Sequence, residues 1–185
     1  MSKKQYFTTR QLCLMAFLAV SGMIIKPFLS PVFNLLTDFI RIPGGSVTAG
    51  FSMMFLVFGA AAVQKKGTAA MMGLVQAVMA LGLGISSVTG LLVFITYTLP
   101  GVVIDIVLCS SIFSAVPVQK RMPLAGAAGV LAGAALTNTL YFRMSVVPFL
   151  LFYIFGILSG GFGGYMAAVI YDRLHIQIER MRYKK

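Results

Sequence analysis

The groups in this chain that could do chemistry are few and unevenly spread. Among its 185 residues are four acids, one histidine and two cysteines. The sequence contains no GxxxxGK[ST], HExxH or GxSxG stretch. General acid–base catalysis needs a positioned proton donor and acceptor, and the one histidine, His175, lies in a basic tail. Cys13 and Cys109 each sit in an apolar run without CxxC or metal-ligand spacing, and read as small apolar residues. Catalysis, a bound metal and a cofactor are therefore not expected. What remains is recognition by hydrogen bonds and charge, and its groups fall into three clusters. Asn34, Thr37, Asp38 and Arg41 recur at the spacing of one helix face. Ser86, Ser87 and Thr89 precede Thr96 and Tyr97, and Thr137, Asn138, Tyr141 and Arg143 form the third group.

The elements that must position these groups are read from composition. The chain is 59% hydrophobic and 10% charged, where a soluble domain is about 25% charged. It is expected to be an all-α integral membrane protein, a single domain of six transmembrane helices. With about 20 apolar residues per span, the spans fall near 12–31, 46–64, 67–85, 90–114, 123–142 and 146–171, followed by a basic tail, 172–185. Breaks are marked by "QKKG" (64–67), by the Gly/Ser-rich stretch 82–90 and by "PVQKRMP" (117–123). The apolar runs are continuous rather than alternating, which excludes a β-barrel. The basic N-terminus before an apolar run reads as a retained first span rather than a cleaved signal.

The net charge of +11 suits the positive-inside rule better than nucleic acid. Six spans put Lys3, Lys4, Arg10, Lys65, Lys66, Lys120, Arg121, Arg173, Arg180, Arg182, Lys184 and Lys185 on one side, and Lys26, Arg41 and Arg143 on the other: 12 against 3. Both termini are then cytoplasmic, and all three polar clusters face outward. Three loops returning to one membrane face can converge into a small-molecule site, an apolar cup with a few placed polar groups. Its candidate residues are Asn34, Asp38, Arg41, Ser86, Thr89, Tyr97, Asn138, Tyr141 and Arg143. The competing reading is a wetted surface with an Asp38–Arg41 pair.

Three further features lie within the spans. Asp105 is an acid inside span four, read either as a hydrogen-bonded packing acid or as a coupling element. Gly156, Gly160, Gly164 and Ala168 in span six, and Ala125, Gly129, Gly133 and Thr137 in span five, recur every four residues and predict close helix packing. Ala16 and Ala19 form a small-residue patch on span one that suits either another span or an external partner.

"TTRQLCLMAFLAV", "RIPGG", "KKGTAAMMGLVQAVMALGLG" and "YTLPGVVIDIVL" together resemble the substrate-capture subunit, or S component, of energy-coupling factor (ECF) vitamin transporters. The resemblance covers nearly the whole chain as a pattern of spans and loops. It implies a non-enzymatic, multi-pass protein of a prokaryotic plasma membrane that binds a vitamin or vitamin precursor near the outer face. It also implies docking through helix one, at Ala16 and Ala19, on a transmembrane coupling subunit driven by two cytoplasmic ATPases. The family's alanine pair spaced by four is imperfect here, since Val20 follows Ala16 and Met23 follows Ala19 at that spacing. Residues 33–45 become an outer lid and binding segment. Arg41 and Arg143, with Lys26 as a further cation, suit a carboxylate or phosphate, while Asp38 suits either a cationic ring or the orientation of Arg41. A ligand-free structural or assembly protein and a small membrane enzyme are the alternatives from other classes.

Overall fold

The computed structural model describes residues 7–37, 45–84, 90–110, 115–139 and 146–183. It contains six helices: α1 (Thr9–Thr37), α2 (Gly45–Val63), α3 (Thr68–Gly82), α4 (Leu92–Cys109), α5 (Val118–Thr137) and α6 (Val146–Tyr183). A reciprocal cap starts α1. The Thr8 amide donates to Gln11 Oε1 (3.1 Å) and the Gln11 amide to Thr8 Oγ1 (3.4 Å), which satisfies two of the helix's unpaired N–H groups. The helix then passes through Pro27 and Pro31, so residues 33–37 of the expected lid segment continue the first helix; 38–44 lie outside the described residues. Gly67 opens α3 with φ 85°, a left-handed conformation that glycine adopts without a Cβ clash. Pro123 falls inside α5 rather than at its start. At 38 residues α6 is one continuous helix of about 57 Å. That exceeds the roughly 30 Å hydrocarbon core, so the basic tail extends the helix out of the bundle.

Three helices are long and apolar enough to cross a membrane, over Thr9–Leu35, Leu92–Cys109 and Leu150–Leu174; Thr48–Val63 and Thr68–Gly82 are apolar but shorter. Large apolar side chains lie outside as well as inside the bundle. Phe17, Phe28, Leu35, Ile106 and Leu158 are exposed, while Ala19, Ala61, Ala69, Ala77, Ala125 and Ala167 are fully buried. Lipid solvates large apolar groups as well as a core does, so small residues go inside, where they let backbones approach.

Cross-helix contacts fix the arrangement of the ends. Lys65 Nζ lies 5.3 Å from the Phe7 ring centroid, Gln64 Nε2 donates to the Tyr171 hydroxyl (3.5 Å), and Asp105 meets Ala69 and Ala70. The start of α1, the end of α2, the start of α3, the end of α4 and the later part of α6 therefore meet at one end. Arg10, Lys65, Lys66, Lys120, Arg121 and Arg173 lie towards it, and we term it the basic end. At the far end Phe33 of α1 stacks on Phe51 of α2 (centroids 5.7 Å apart), and Lys26 of α1 meets Tyr97 of α4. Successive helices thus alternate in direction.

Buried apolar residues divide the same way. A large cluster drawn from all six helices fills the middle and the basic end, with α2 touching every other helix. A small one, Met23, Ala77, Ala80 and Val93, lies towards the far end. The α6 stripe packs on α5: a Cβ at Gly160 would strike Gly126 O, and one at Gly164 would strike Met122 O. The matching α5 face is Met122, Gly126 and Val130. The expected α5 stripe is turned elsewhere, with Gly129 against Ile104 and Gly133 against Pro100 of α4. A second α6 face, Ser159 and Gly163, meets Gly50 of α2, whose amide donates to Ser159 Oγ (3.2 Å).

Candidate ligand-binding site

At the far end three of the nine candidate ligand residues can be placed. Asn34 is exposed on the last turns of α1, Tyr97 is half-buried in the second turn of α4, and Asn138 is half-buried at the C-cap of α5. Asp38, Arg41, Ser86, Thr89, Tyr141 and Arg143 lie outside the described residues. Two hydroxyls of the expected clusters are used within their own helices: Thr96 Oγ1 donates to Leu92 O, and Thr137 Oγ1 donates to Gly133 O (2.7 Å). Tyr97 is the candidate that the fold brings to a charged group. The Lys26 ammonium stands 4.8 Å from its ring centroid, within cation–π range. Tyr97 in turn packs with Met79 and Phe94 against the small far-end cluster. One residue on, Thr98 Oγ1 is buried without a hydrogen-bond partner.

The two docking candidates on α1 are separated by the fold. Ala16 is exposed, whereas Ala19 is fully buried. The Ala19 carbonyl accepts a hydrogen bond from Gln76 Nε2 of α3 (3.1 Å). Ala19 thus faces the bundle, and Ala16 is the member of the pair open to another chain. Gln76 itself is 2% exposed. Sequence reasoning missed it, although a lone amide within the apolar run "GLVQAVMA" was a visible signal.

The basic end is closed by charges set against helix termini. Asp105 Oδ1 accepts from the Ala69 amide (3.0 Å) and Oδ2 from the Ala70 amide (2.9 Å). These are N–H groups of the first turn of α3, which have no partner inside their own helix, and a carboxylate there also opposes the positive end of the helix dipole. Arg121 supplies the converse. It is buried; its Nε donates to Val116 O (2.6 Å) and Nη1 to Leu108 O (3.2 Å), so a guanidinium holds the carbonyl end of α4. Of the two readings of Asp105, the hydrogen-bonded packing acid describes this geometry.

A cleft of about 370 Å³ opens beside this cap between α3 and α4, lined by Lys66, Val102, Asp105, Ile106 and Cys109 among others. Its carboxylate is already engaged by the two amides, and Val102 and Ile106 are exposed on what would be the lipid side. It is a poor match for a polar ligand arriving from solution. Among the described residues no three histidine, cysteine or acidic side chains come together as a metal site.

No functionally curated protein matches the sequence. A solved structure described as an S-component of an ECF transporter superposes with a TM-score of 0.71 over 93% of this chain and 87% of that one, at 17% identity. That likeness establishes a shared fold. Residues 10–135, from the cap of α1 almost to the end of α5, match the family described as ABC-type cobalt transport system, permease component. On the strength of that match over more than half its length, the chain belongs to this family of membrane transport components.

Proposed function

We propose that this chain is the substrate-capture subunit of an ECF transporter. All six helices would span the membrane, with both termini and the basic end in the cytoplasm. The far end would face outward, hold a small organic molecule and release it inward on command of separate subunits. The observation that carries this reading is the contrast between the ends. Every described cation except Lys26 lies towards one end, as the positive-inside rule requires of a cytoplasmic face, and the opposite end holds unsatisfied polar groups in an apolar setting. The fold likeness and the family membership support the same role. The chain has no sequence motif for ATP, so energy would come from two ATPases acting through a transmembrane coupling subunit. Ala16 on the open face of α1 is our candidate contact for that subunit.

The family's description mentions cobalt, and the distribution of donor groups favours an organic ligand instead. Cobalt ions bind through clustered nitrogen, oxygen and sulfur ligands. Cys13, Cys109, Asp105, Asp172, His175 and Glu179 all belong to segments at the basic end, which leaves Asp38 as the one acid between α1 and α2. A vitamin or vitamin precursor is the ligand class we assign to the far end, with Tyr97, Asn34 and Asn138 as its candidate contacts among the described residues.

Thermal-shift measurements on the purified protein in detergent test this reading directly. A panel of vitamins and precursors is run beside cobalt chloride. Stabilisation by one organic compound, with none from cobalt, is the expected outcome. Stabilisation by cobalt alone refutes it.

A further inference from the structure

An ammonium among apolar helices is ordinarily matched by a carboxylate or by backbone carbonyls. Lys26 departs from that. It is half-buried on α1, 17 residues from Thr9 and so about 26 Å along the helix axis. A lysine beside lipid can extend its stem to the headgroups. This one turns inward instead. Although α1 packs mainly on α2 and α3, the Lys26 Nζ reaches Tyr97 on α4, where the ring belongs to the far-end cluster. Among the described residues no carboxylate or carbonyl meets it, and the ring face of Tyr97 is its partner. A ring quadrupole stabilises a cation, but one ring face cannot satisfy all three N–H donors of an ammonium. The ammonium is thus positioned and only partly solvated, with N–H donors left for an acceptor.

We propose that Lys26 reads an anionic group, carboxylate or phosphate, on the captured molecule, and that Tyr97 is the positioning residue that holds the ammonium towards it. This rests on the capture reading and adds the charge class of the ligand. Lys26 supplies charge and donors at a point with little competing water, and the ring of Tyr97 sets the direction in which they aim.

The test uses full-length protein in detergent and four matched probe pairs: nicotinate with nicotinamide, biotin with biotinamide, pantothenate with panthenol, and pyridoxal phosphate with pyridoxal. The first three carry or lack a carboxylate and the fourth a phosphate, so the pair that responds identifies the anion. In the responding pair the acid should bind the wild type at least 10-fold more tightly than its neutral partner. Lys26→Met should erase that preference, Lys26→Arg should keep part of it, Tyr97→Phe should change it less than threefold, and Tyr97→Leu should reduce it several-fold. The thermal midpoint of each empty variant identifies any that fails to fold, and Lys26→Arg then carries the comparison. If the neutral member binds as well as the acid, or Lys26→Met keeps the preference, the charge assignment is wrong and the capture reading stands. If the wild type binds none of the eight but binds a panel compound without a carboxylate or phosphate, this proposal falls and the capture reading stands; if no compound of the panel binds, both fall.

Discussion

Asp105 gives each of its oxygens to a backbone amide, whereas Lys26 has the face of a single ring. Both are ionisable groups on apolar helices, and the difference marks what each end of the bundle does. At the basic end the charges are engaged by the fold: Asp105 holds the start of α3 and Arg121 the end of α4. Those charges are structural. At the far end the small cluster, the lone ammonium and the buried Thr98 hydroxyl leave interactions to be made. Under the proposed function, capture at one end and integrity at the other would account for this division.

The sharpest way to break the contrast is a glycine pair. Gly160→Leu should cost the most, because an added side chain meets Gly126 O of α5 directly. Overpacking costs about 1–3 kcal/mol where side chains can yield, and here the obstacle is backbone, so we expect little folded protein on size-exclusion chromatography. Gly82→Ala at the far end of α3, where nothing lies within 4 Å of the added carbon, should change stability by less than about 1 kcal/mol and in the favourable direction, since alanine is the better helix residue. Equal damage from both would mean that the far end is as tightly closed as the basic end.

Next in size is the cap. Asp105→Ala leaves two amides of α3 unpaired and should lower stability by about 2–3 kcal/mol in chemical unfolding in detergent, from the worth of hydrogen bonds to a charged group. Asp105→Asn keeps one acceptor and should lose about half as much. Lys26→Met should cost at least about 1 kcal/mol less than Asp105→Ala, because a cation–π contact contributes about 0.5–2 kcal/mol and removing the ammonium also removes its desolvation cost. If Lys26→Met proves as damaging as Asp105→Ala, Lys26 is a structural residue like the acid.

The smallest perturbation tests orientation and should leave stability nearly untouched. In a background carrying Cys13→Ser and Cys109→Ser, a membrane-impermeant thiol reagent should label Ser87→Cys in intact cells. It should label Lys66→Cys only after the membrane is opened. Labelling of both in intact cells would overturn the outward placement of the far end.

Much of the helical layout was legible because it depends on composition along the chain. The six apolar segments became six helices, and "QKKG" became a turn, since Lys65 and Lys66 are costly in lipid and Gly67 supplies the left-handed residue. The boundaries were less legible. Pro27 and Pro31 do not end α1, and Pro123 does not precede α5, because in a bundle neighbouring groups can satisfy the carbonyls that a proline frees. Of the candidate site, Tyr97 was legible as a polar aromatic near a span end. Its partnership with Lys26 was not, since the two are far apart in sequence.

The sequence by itself determined that the chain is apolar enough for lipid and that its cations gather in alternate connections. Those properties are sums over residues, and no partner need be known to read them. Only the tertiary structure decided which faces meet. Small residues occur on several faces of α5, so a four-residue repeat could not say whether Gly129 looks at α6 or at α4; the rotation of each helix about its own axis settles that. Asp105 and the amides it caps are 35 and 36 residues apart, and the bond exists because α3 and α4 pack antiparallel. Ala16 and Ala19 lie only about 60° apart around the helix at 3.6 residues per turn, yet packing on α3 takes Ala19 into the bundle and leaves Ala16 outside.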